Sequence, residues 1–282
     1  MIVVKKMNEL TAIVSEKKKA GLSIGLVPTM GYLHEGHLTL VKKAREENDV
    51  VIMSIFVNPL QFGPNEDFDS YPRDFERDQK LADEAGVDLL FAPESDEMYP
   101  KPSMIVMNVV DRTDRLCGAK RPGHFDGVVT VVTKLFHLAQ PDRAYFGLKD
   151  AQQVAVIHGL VESLNFPLEV IGVETVREED GLAKSSRNVY LTANERQLAP
   201  HIYHALQTGK ALMEQGEKDP VQVTNTTIAY LNEHAGTEVD YVELLSFPDL
   251  TPVQTIEGQV ILATAVKYSN ARLIDNIIFE CK

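Results

Sequence analysis

The sequence predicts an α/β protein with a Rossmann-like parallel sheet and a second, smaller α+β domain toward the C-terminus. Between residues 22 and 176, short apolar runs alternate with helix-like patterns. Strands that alternate with helices form crossover units, and such units build a mostly parallel sheet. After residue 186 the order changes to two helical patterns followed by three strands, which is typical of an α+β domain. We therefore expect one domain over residues 1–180 and another over residues 181–282.

Each element of the first domain follows from a local pattern. Apolar runs predict strands, amphipathic runs predict helices, and glycine or proline marks their ends. The run 124–139 is predicted as a buried helix, although its valines and threonines also suit a strand. The predicted strands are 22–27, 50–57, 87–92, 104–110, 143–147 and 168–176; the predicted helices are 7–19, 38–47, 73–85, 124–139 and 150–164, with a loop over 112–123.

A helix-start signal organises the second domain. Thr192, with Glu195 three residues later, matches a capping box, so a long helix is predicted over 192–215. A second helix is predicted over 221–234. Turn signals then separate three predicted strands, over 239–246, 259–266 and 272–279.

Composition excludes several classes of protein. The 282 residues are 44% hydrophobic and 24% charged, as in ordinary globular proteins. The formal net charge of −13 argues against nucleic-acid binding, because a phosphate-tracking surface needs clustered Lys and Arg. No apolar run approaches membrane-spanning length, and the first residues lack a signal-peptide pattern. With Cys117 and Cys281 far apart, we expect a cytoplasmic protein with free thiols.

The segment 28–37, Pro-Thr-Met-Gly-Tyr-Leu-His-Glu-Gly-His, lies between a predicted strand and a predicted helix. Ligands of α/β proteins bind at such turns. His34 and His37 are three residues apart, so at a helix start both rings lie beside the first N–H groups, which favour an anion such as phosphate. Two other interpretations are a capping histidine beside a solvated one, and a zinc site. The zinc site lacks the usual spacing and a nearby third ligand.

Three more polar segments stand where strands end. Asn58 and Gln61 offer uncharged amides to hydroxyl and carboxylate groups. Lys149 can place a charge on a phosphate, and Asp150 can accept from ribose hydroxyls. The segment 184–188, Lys-Ser-Ser-Arg-Asn, has the hydroxyls and guanidinium to bind a triphosphate. An ordinary loop, a helix-capping Asp beside an exposed Lys, and a polar hinge would each look similar in isolation.

Five segments taken together resemble the pantoate–β-alanine ligase family. They are Pro-Thr-Met-Gly-Tyr-Leu-His-Glu-Gly-His, Phe-Val-Asn-Pro-Leu-Gln-Phe, Arg-Pro-Gly-His-Phe-Asp-Gly-Val, Phe-Gly-Leu-Lys-Asp-Ala-Gln-Gln and Ser-Ser-Arg-Asn-Val-Tyr-Leu, in this order from residue 28 to 191. The first alone resembles the His-x-Gly-His signature of the nucleotidyltransferase superfamily. The resemblance implies ATP-dependent condensation of pantoate with β-alanine to pantothenate through a pantoyl-adenylate, with release of pyrophosphate and AMP. It also implies magnesium carried on the nucleotide, no metal held by the protein itself, and usually a homodimer.

The same resemblance implies a role for each matching residue. Phosphates would be held by His34, His37, Lys149, Ser185, Ser186 and Arg187, of which His34, His37, Lys149 and Arg187 would be catalytic. The rest of the nucleotide would meet Met30 and Gly31, Gly147 and Asp150 at the ribose, and the backbone of Val176 and Lys184 near adenine. Pantoate would be bound by Gln61, Gln153 and Asn58, and Gln61 could also meet β-alanine.

Two positions depart from the family pattern. The family usually has Met before Ser-Ser-Arg, where this chain has Lys184, and an aromatic residue is common where it has Ala151. A backbone contact to adenine survives the first change, but the side-chain packing expected from the family does not carry over.

Two other functions are compatible with part of the sequence. A different adenylyl- or cytidylyltransferase explains His34 and His37 but leaves Gln61 and Gln153 without a purpose. A regulatory module would bind the nucleotide without any chemistry, and a pyrophosphate-release assay with ATP and pantoate separates it from an enzyme.

Overall fold

A computed structural model describes residues 1–64 and 66–281. Contacts between Cα atoms divide the chain into two compact units. Unit 1 consists of residues 1–110, 121–148 and 156–174, and unit 2 consists of residues 111–120, 149–155 and 175–282. Within the described residues, no helix is long and apolar enough to cross a membrane.

Unit 1 is built on a six-stranded parallel sheet with the strand order β1-β4-β3-β2-β5-β6. This confirms the predicted α/β class. The strands are β1 (Ile2–Val4), β2 (Ile24–Thr29), β3 (Val50–Ile55), β4 (Leu89–Phe91), β5 (Arg143–Gly147) and β6 (Glu169–Val173). The helices that precede or follow them are α1 (Met7–Lys19), α2 (Glu35–Glu47), α3 (Phe75–Glu84), α4 (Ser95–Met98), α6 (His124–Ala139) and most of α7 (Ala151–Leu164), whereas α5 (Leu116–Lys120) lies in unit 2.

The centre of this sheet is buried on both faces. In β2 the residues Ile24, Leu26 and Val27 are at most 1% exposed, so the strand reads as a continuous apolar run. Helix α2 places Leu40, Val41 and Ala44 in the same apolar cluster as Val27. This packing fixes α2 on the sheet, at the far end of the turn that follows β2.

Unit 2 carries a three-stranded antiparallel sheet, β7 (Glu238–Ser246), β8 (Gly258–Lys267) and β9 (Arg272–Cys281). Besides α5, its helices are α8 (Ala193–Leu198), α9 (His201–Glu214) and α10 (Pro220–His234). Leu206 on α9, Val223 on α10 and Leu262 on β8 meet in one apolar cluster. The second domain is therefore of the predicted α+β kind.

The capping box predicted at the start of the second domain is present. The Thr192 hydroxyl accepts from the N–H of Glu195 at 3.3 Å, and the Glu195 carboxylate accepts from the N–H of Thr192 at 2.8 Å. The helix that begins there is shorter than predicted, because Pro200 has no N–H and the chain starts a new helix, α9, directly after it. The prediction of one helix over 192–215 is therefore wrong.

The predicted strand over 104–110 is also wrong. The ladders among the described residues do not include this segment, and Met104, Ile105, Val106 and Val110 are 77–100% exposed. A β-type pattern needs a partner strand, and the N–H of Val109 instead donates to the Asp126 carboxylate at 2.8 Å. The predicted loop over 112–123 is partly wrong, because it contains the short helix α5. Strand β1 and helix α4 were not predicted, since three or four residues carry too little periodicity.

An ion pair inside unit 2 allows a first test. The Arg177 guanidinium donates to both oxygens of Asp275, at 2.6 and 2.9 Å, and Asp275 is 4% exposed. We expect Asp275→Asn to lower the free energy of unfolding by about 3 kcal/mol, because it leaves a largely buried guanidinium without its carboxylate. Urea denaturation measures the loss.

The control is Asp249→Asn. Its carboxylate pairs with Arg112 at 3.0 Å but is 69% exposed, so the expected loss is below about 1 kcal/mol. Equal losses in the two variants would show that burial does not decide the strength of the Arg177–Asp275 pair.

Candidate active site

The turn between β2 and α2 has an unusual backbone. Gly31 and Tyr32 both have positive φ, +82° and +49°. A Cβ at position 31 would lie 2.9 Å from Asp78 Oδ2 and from the Ile55 side chain, so only glycine fits. The Asp78 carboxylate, on α3, accepts from the N–H groups of Tyr32 and Leu33. Burial raises the pKa of Asp78, and the two N–H donors only partly offset that effect.

The two histidines of this turn begin α2. His34 is the N-cap residue, and its Nδ1 accepts from the N–H of Gly36 at 3.2 Å. His37 Nδ1 in turn accepts from the N–H of His34 at 3.3 Å. The ring centroids are 4.0 Å apart. Because each Nδ1 is an acceptor, the neutral form of each ring carries its proton on Nε2.

This arrangement combines two of the interpretations drawn from the sequence. One histidine does cap the helix, and both rings do lie at its positive end, where an anion is favoured. Among the described residues there is no group of three or more His, Cys, Asp or Glu side chains that could hold a metal ion.

Gln61 lies in the next loop of unit 1, at the end of the 3-10 turn Pro59–Gln61 that follows β3. Its side chain is 8% exposed, and its Oε1 accepts from Asn58 Nδ2 at 3.2 Å. Its Nε2 is 3.3 Å from the sulfur of Met30. The amide nitrogen is therefore the end of Gln61 that is offered as a donor beside the β2–α2 turn.

Four hydrogen bonds hold the side-chain amide of Asn58. Its Nδ2 also donates to the carbonyl of Gly127, and its Oδ1 accepts from the N–H of Leu60 and from the Tyr99 hydroxyl at 2.9 Å. A flipped amide would set oxygen against the Gly127 carbonyl and N–H₂ against the Leu60 N–H, so the orientation is determined. Burial raises the pKa of Tyr99 to about 12, which keeps its hydroxyl a donor.

The main chain of Gln61 is fixed separately. Its carbonyl is 2.7 Å from His124 Nδ1 and accepts from Arg121 Nη2 at 3.3 Å. Arg121 is itself paired with Glu66. Gly127 on α6 has no space for a side chain, because a Cβ there would be 2.3 Å from the Leu60 carbonyl oxygen. The 3-10 turn therefore packs directly on the α6 backbone.

Unit 2 contains the other predicted site residues except Gly147, which ends β5 in unit 1. Lys149, whose Nζ is 3.7 Å from the Asp150 carboxylate, lines a small cavity together with Ser185. The Lys149 carbonyl accepts from Asn276 on β9 at 3.0 Å. Of the two adjacent glutamines on α7, Gln152 is buried and donates to the carbonyls of Arg112 and Arg115, whereas Gln153 is half-buried on the first turn.

A hairpin leads into the Ser-Ser-Arg segment. The N–H of Lys184 donates to the carbonyl of Val176 at 2.9 Å, so these two backbones are neighbours. The Lys184 ammonium is 3.3 Å from Glu178. Ser185 then caps the 3-10 turn Ser186–Tyr190 by accepting from the N–H of Arg187.

The comparisons with known proteins cover nearly the whole chain. The model of the family described as pantoate-beta-alanine ligase matches residues 2–278. The chain belongs to this family. It is thus an enzyme of the pantoate–β-alanine ligase type, and not a regulatory module without chemistry.

Individual relatives agree with this assignment. Pantothenate synthetase of Bacillus subtilis (strain 168) is 58% identical over 98% of this chain and 96% of its own. A crystal structure of pantothenate synthetase from Thermus thermophilus has a TM-score of 0.93 and 47% identity, covering 98% of this chain and 99% of the other. A pantoate-beta-alanine ligase from Francisella tularensis, complexed with beta-gamma ATP and beta-alanine, has a TM-score of 0.80 and 34% identity, covering 99% of this chain and 97% of the other.

The structure groups the predicted residues by unit. Unit 1 brings together Met30, Gly31, His34, His37, Asn58 and Gln61, with Gly147 at the end of β5; unit 2 holds Lys149, Asp150, Gln153, Val176, Lys184, Ser185, Ser186 and Arg187. Sequence reasoning assigned no role to Asp78, Tyr99, Arg121 or His124. The last two stand in a quoted family segment, but Asp78 and Tyr99 act across the fold and have no local signal.

Lys184 can be tested against the usual family residue. Its ammonium is engaged by Glu178, so we expect Lys184→Met to change the Michaelis constant for ATP by no more than a few-fold. Steady-state kinetics at varied ATP measures it. A tenfold or larger rise would show that the ammonium reaches a phosphate.

Proposed function

We propose that the chain condenses pantoate with β-alanine in two steps. In the first, a carboxylate oxygen of pantoate attacks the α-phosphorus of ATP, the bond to the bridging oxygen breaks, and pyrophosphate leaves. In the second, the amine of β-alanine attacks the acyl carbon of the pantoyl-adenylate, loses a proton, and AMP leaves. The observation that carries this proposal is the placement of His34 and His37 side by side at the N-terminus of α2, in a chain of this family.

The first step brings two anions together, so its barrier is electrostatic. Donors and positive groups that meet the charge growing on pyrophosphate lower that barrier most. We assign this role to His34, His37, Lys149 and Arg187, with Ser185 and Ser186 as further donors to the phosphates. Magnesium, carried on the nucleotide, would supply charge neutralisation on the phosphates.

The remaining nucleotide contacts are weaker and set its position. Met30 and Gly31 pack against the nucleotide, Gly147 and Asp150 meet the ribose, and the paired backbones of Val176 and Lys184 approach adenine. The hairpin supports the last assignment, because a paired backbone edge presents fixed donors and acceptors to a flat base.

Pantoate is bound by Gln61 and Gln153. The donor end of Gln61 suits an oxygen of pantoate, and a neutral amide leaves the carboxylate nucleophilic, whereas a directly bound cation would stabilise it. Asn58 was predicted to touch the substrate. Its buried amide is instead occupied within unit 1, so we propose that it acts by orienting Gln61.

We further propose that the protein is cytoplasmic and forms a homodimer. Within each subunit, we place the boundary between the two domains near residue 180. The exposed apolar side chains of Met104, Ile105, Val106 and Val110 support a contact between copies, since surfaces of this kind are rarely left in water. Sedimentation equilibrium should give twice the mass of 31.4 kDa, and a monomer at micromolar concentration would contradict the dimer.

Isotope exchange tests the two-step route. With ATP, magnesium, pantoate and labelled pyrophosphate, label should enter ATP without β-alanine, because the first step is complete in itself and reversible. Omitting pantoate should stop the exchange. Gln61→Ala and Gln153→Ala should suppress it while ATP binding by calorimetry stays largely unchanged, since each loses a hydrogen bond to the acid. A strict need for β-alanine would rule out the free adenylate.

Lys149→Ala tests the phosphate site. Loss of a charge directed at the phosphates costs about 3 kcal/mol in the transition state, on the order of a hundredfold in the exchange rate. The melting temperature should stay near that of the parent, because Lys149 lies in a 3-10 turn after β5 and not in an apolar pattern. Near-normal exchange in a folded variant would remove Lys149 from the site.

A further inference from the structure

The β2–α2 turn is held by a carboxylate from a distant part of the chain. Asp78 Oδ2 accepts from the N–H of Tyr32 at 2.6 Å, and Oδ1 accepts from the N–H of Leu33 at 2.7 Å. Asp78 is 1% exposed and Leu33 is fully buried. Short bonds from two adjacent N–H groups to one carboxylate are strong, and they fix both the position and the direction of this stretch of backbone.

The turn needs such a restraint. Tyr32 has a φ of +49°, a conformation that residues with a Cβ adopt at a cost, and it follows Gly31 at +82°. Without the carboxylate, Tyr32 would gain by returning to a negative φ, and two backbone N–H groups would lose their acceptor. Hydrogen bonds to Asp78 therefore select a backbone path that the local sequence does not favour.

This path decides where the imidazoles point. Leu33 directly precedes His34, the N-cap of α2, and His37 is tied to the His34 N–H. A change in direction at residues 32 and 33 therefore shifts both Nε2 donors together. We infer that Asp78 is a positioning residue for the transfer of the adenylyl group, acting through the turn without touching the substrate; this inference rests on the proposed function.

Arg77 is a cation close to the carboxylate. Its guanidinium is 3.6 Å from Asp78 Oδ1 and lies over the Tyr32 ring at 5.4 Å. Asp74, one turn earlier, caps α3 by accepting from the Arg77 N–H. The ionised form of Asp78 is what the turn uses, because only a carboxylate offers acceptors to both N–H groups without a competing donor.

The direct test is Asp78→Asn. The amide has the same shape but sets N–H₂ against one of the two backbone N–H groups. We expect the maximal rate of pantoate-dependent pyrophosphate exchange to fall 10- to 100-fold, with the Michaelis constant for pantoate changed less than threefold. Asp83→Asn, on the same helix with a carboxylate that is 62% exposed, should exchange at the parent rate.

A second-site variant separates positioning from general stability. Glycine adopts a φ of +49° without strain, so Tyr32→Gly in the Asp78→Asn background should recover at least threefold of the lost exchange rate. Glycine at position 32 removes the cost of the positive φ but restores no hydrogen bond. The exchange rates are therefore compared per folded molecule, and a defect that is only lost stability would then show no rescue. An Asp78→Asn rate within twofold of the parent, or a loss that Tyr32→Gly does not relieve, would overturn the inference.

If Asp78→Asn does not fold, an NMR measurement on the parent protein tests the positioning role of Asp78. The amide protons of Tyr32 and Leu33 should exchange slowly with solvent and shift together as Asp78 titrates, as followed by NMR on labelled protein. Fast exchange of both amides would overturn the positioning role. Absence of any pantoate-dependent exchange in the parent would instead contradict the proposed function. It would not affect the conclusion, from the amide protons of Tyr32 and Leu33, that Asp78 holds the turn.

Discussion

The parallel pairing of β2 with β3 determines where the candidate site residues of unit 1 lie. In register, Pro28 is opposite Ser54 and Thr29 is opposite Ile55, so both strands end at the same edge of the sheet. The segments that leave them must then be neighbours, and they are: the Gln61 amide nitrogen is 3.3 Å from the Met30 sulfur. Neither segment could hold this position alone, since each is a loop of few residues whose place is set by the strand before it.

Local donors, and not the charge of the whole protein, make an anion site possible here. The chain carries a net charge of −13, which at long range repels a triphosphate. At the α2 N-terminus, however, the first N–H groups of the helix and two imidazoles lie within a few ångströms of one another. Interactions at such distances are screened far less than the general field of the surface, so a few residues outweigh the acidic remainder.

The sequence predicted those features that depend on neighbours in the chain. The capping box at Thr192, strands β2 to β6 of the parallel sheet and the place of His34 and His37 all follow from spacing and periodicity, and all were found. The break at Pro200 is also visible in the sequence, because proline cannot continue a helix.

Features that depend on distant residues could not be predicted in this way. Asp78 looks like an ordinary polar residue of an amphipathic helix, and its acceptor role appears only when α3 packs beside a turn more than forty residues earlier. Tyr99 is similar, since its hydroxyl meets Asn58 across the fold. The segment 104–110 shows the converse. Its β-branched and apolar residues favour a strand, but this pattern does not determine whether a partner strand lies close enough to pair with it.

The fixed amide of Gln61 has a consequence for the design of inhibitors. Asn58 Nδ2 donates to the Gln61 oxygen, so turning the Gln61 amide over would break that bond and oppose two donors. In the proposed pantoate site, Gln61 therefore acts as a donor through Nε2. A compound intended for this position should place a carbonyl, ether or carboxylate oxygen against Gln61. An amine or amide N–H at the same point would weaken binding, because it would place a second donor against the Gln61 N–H.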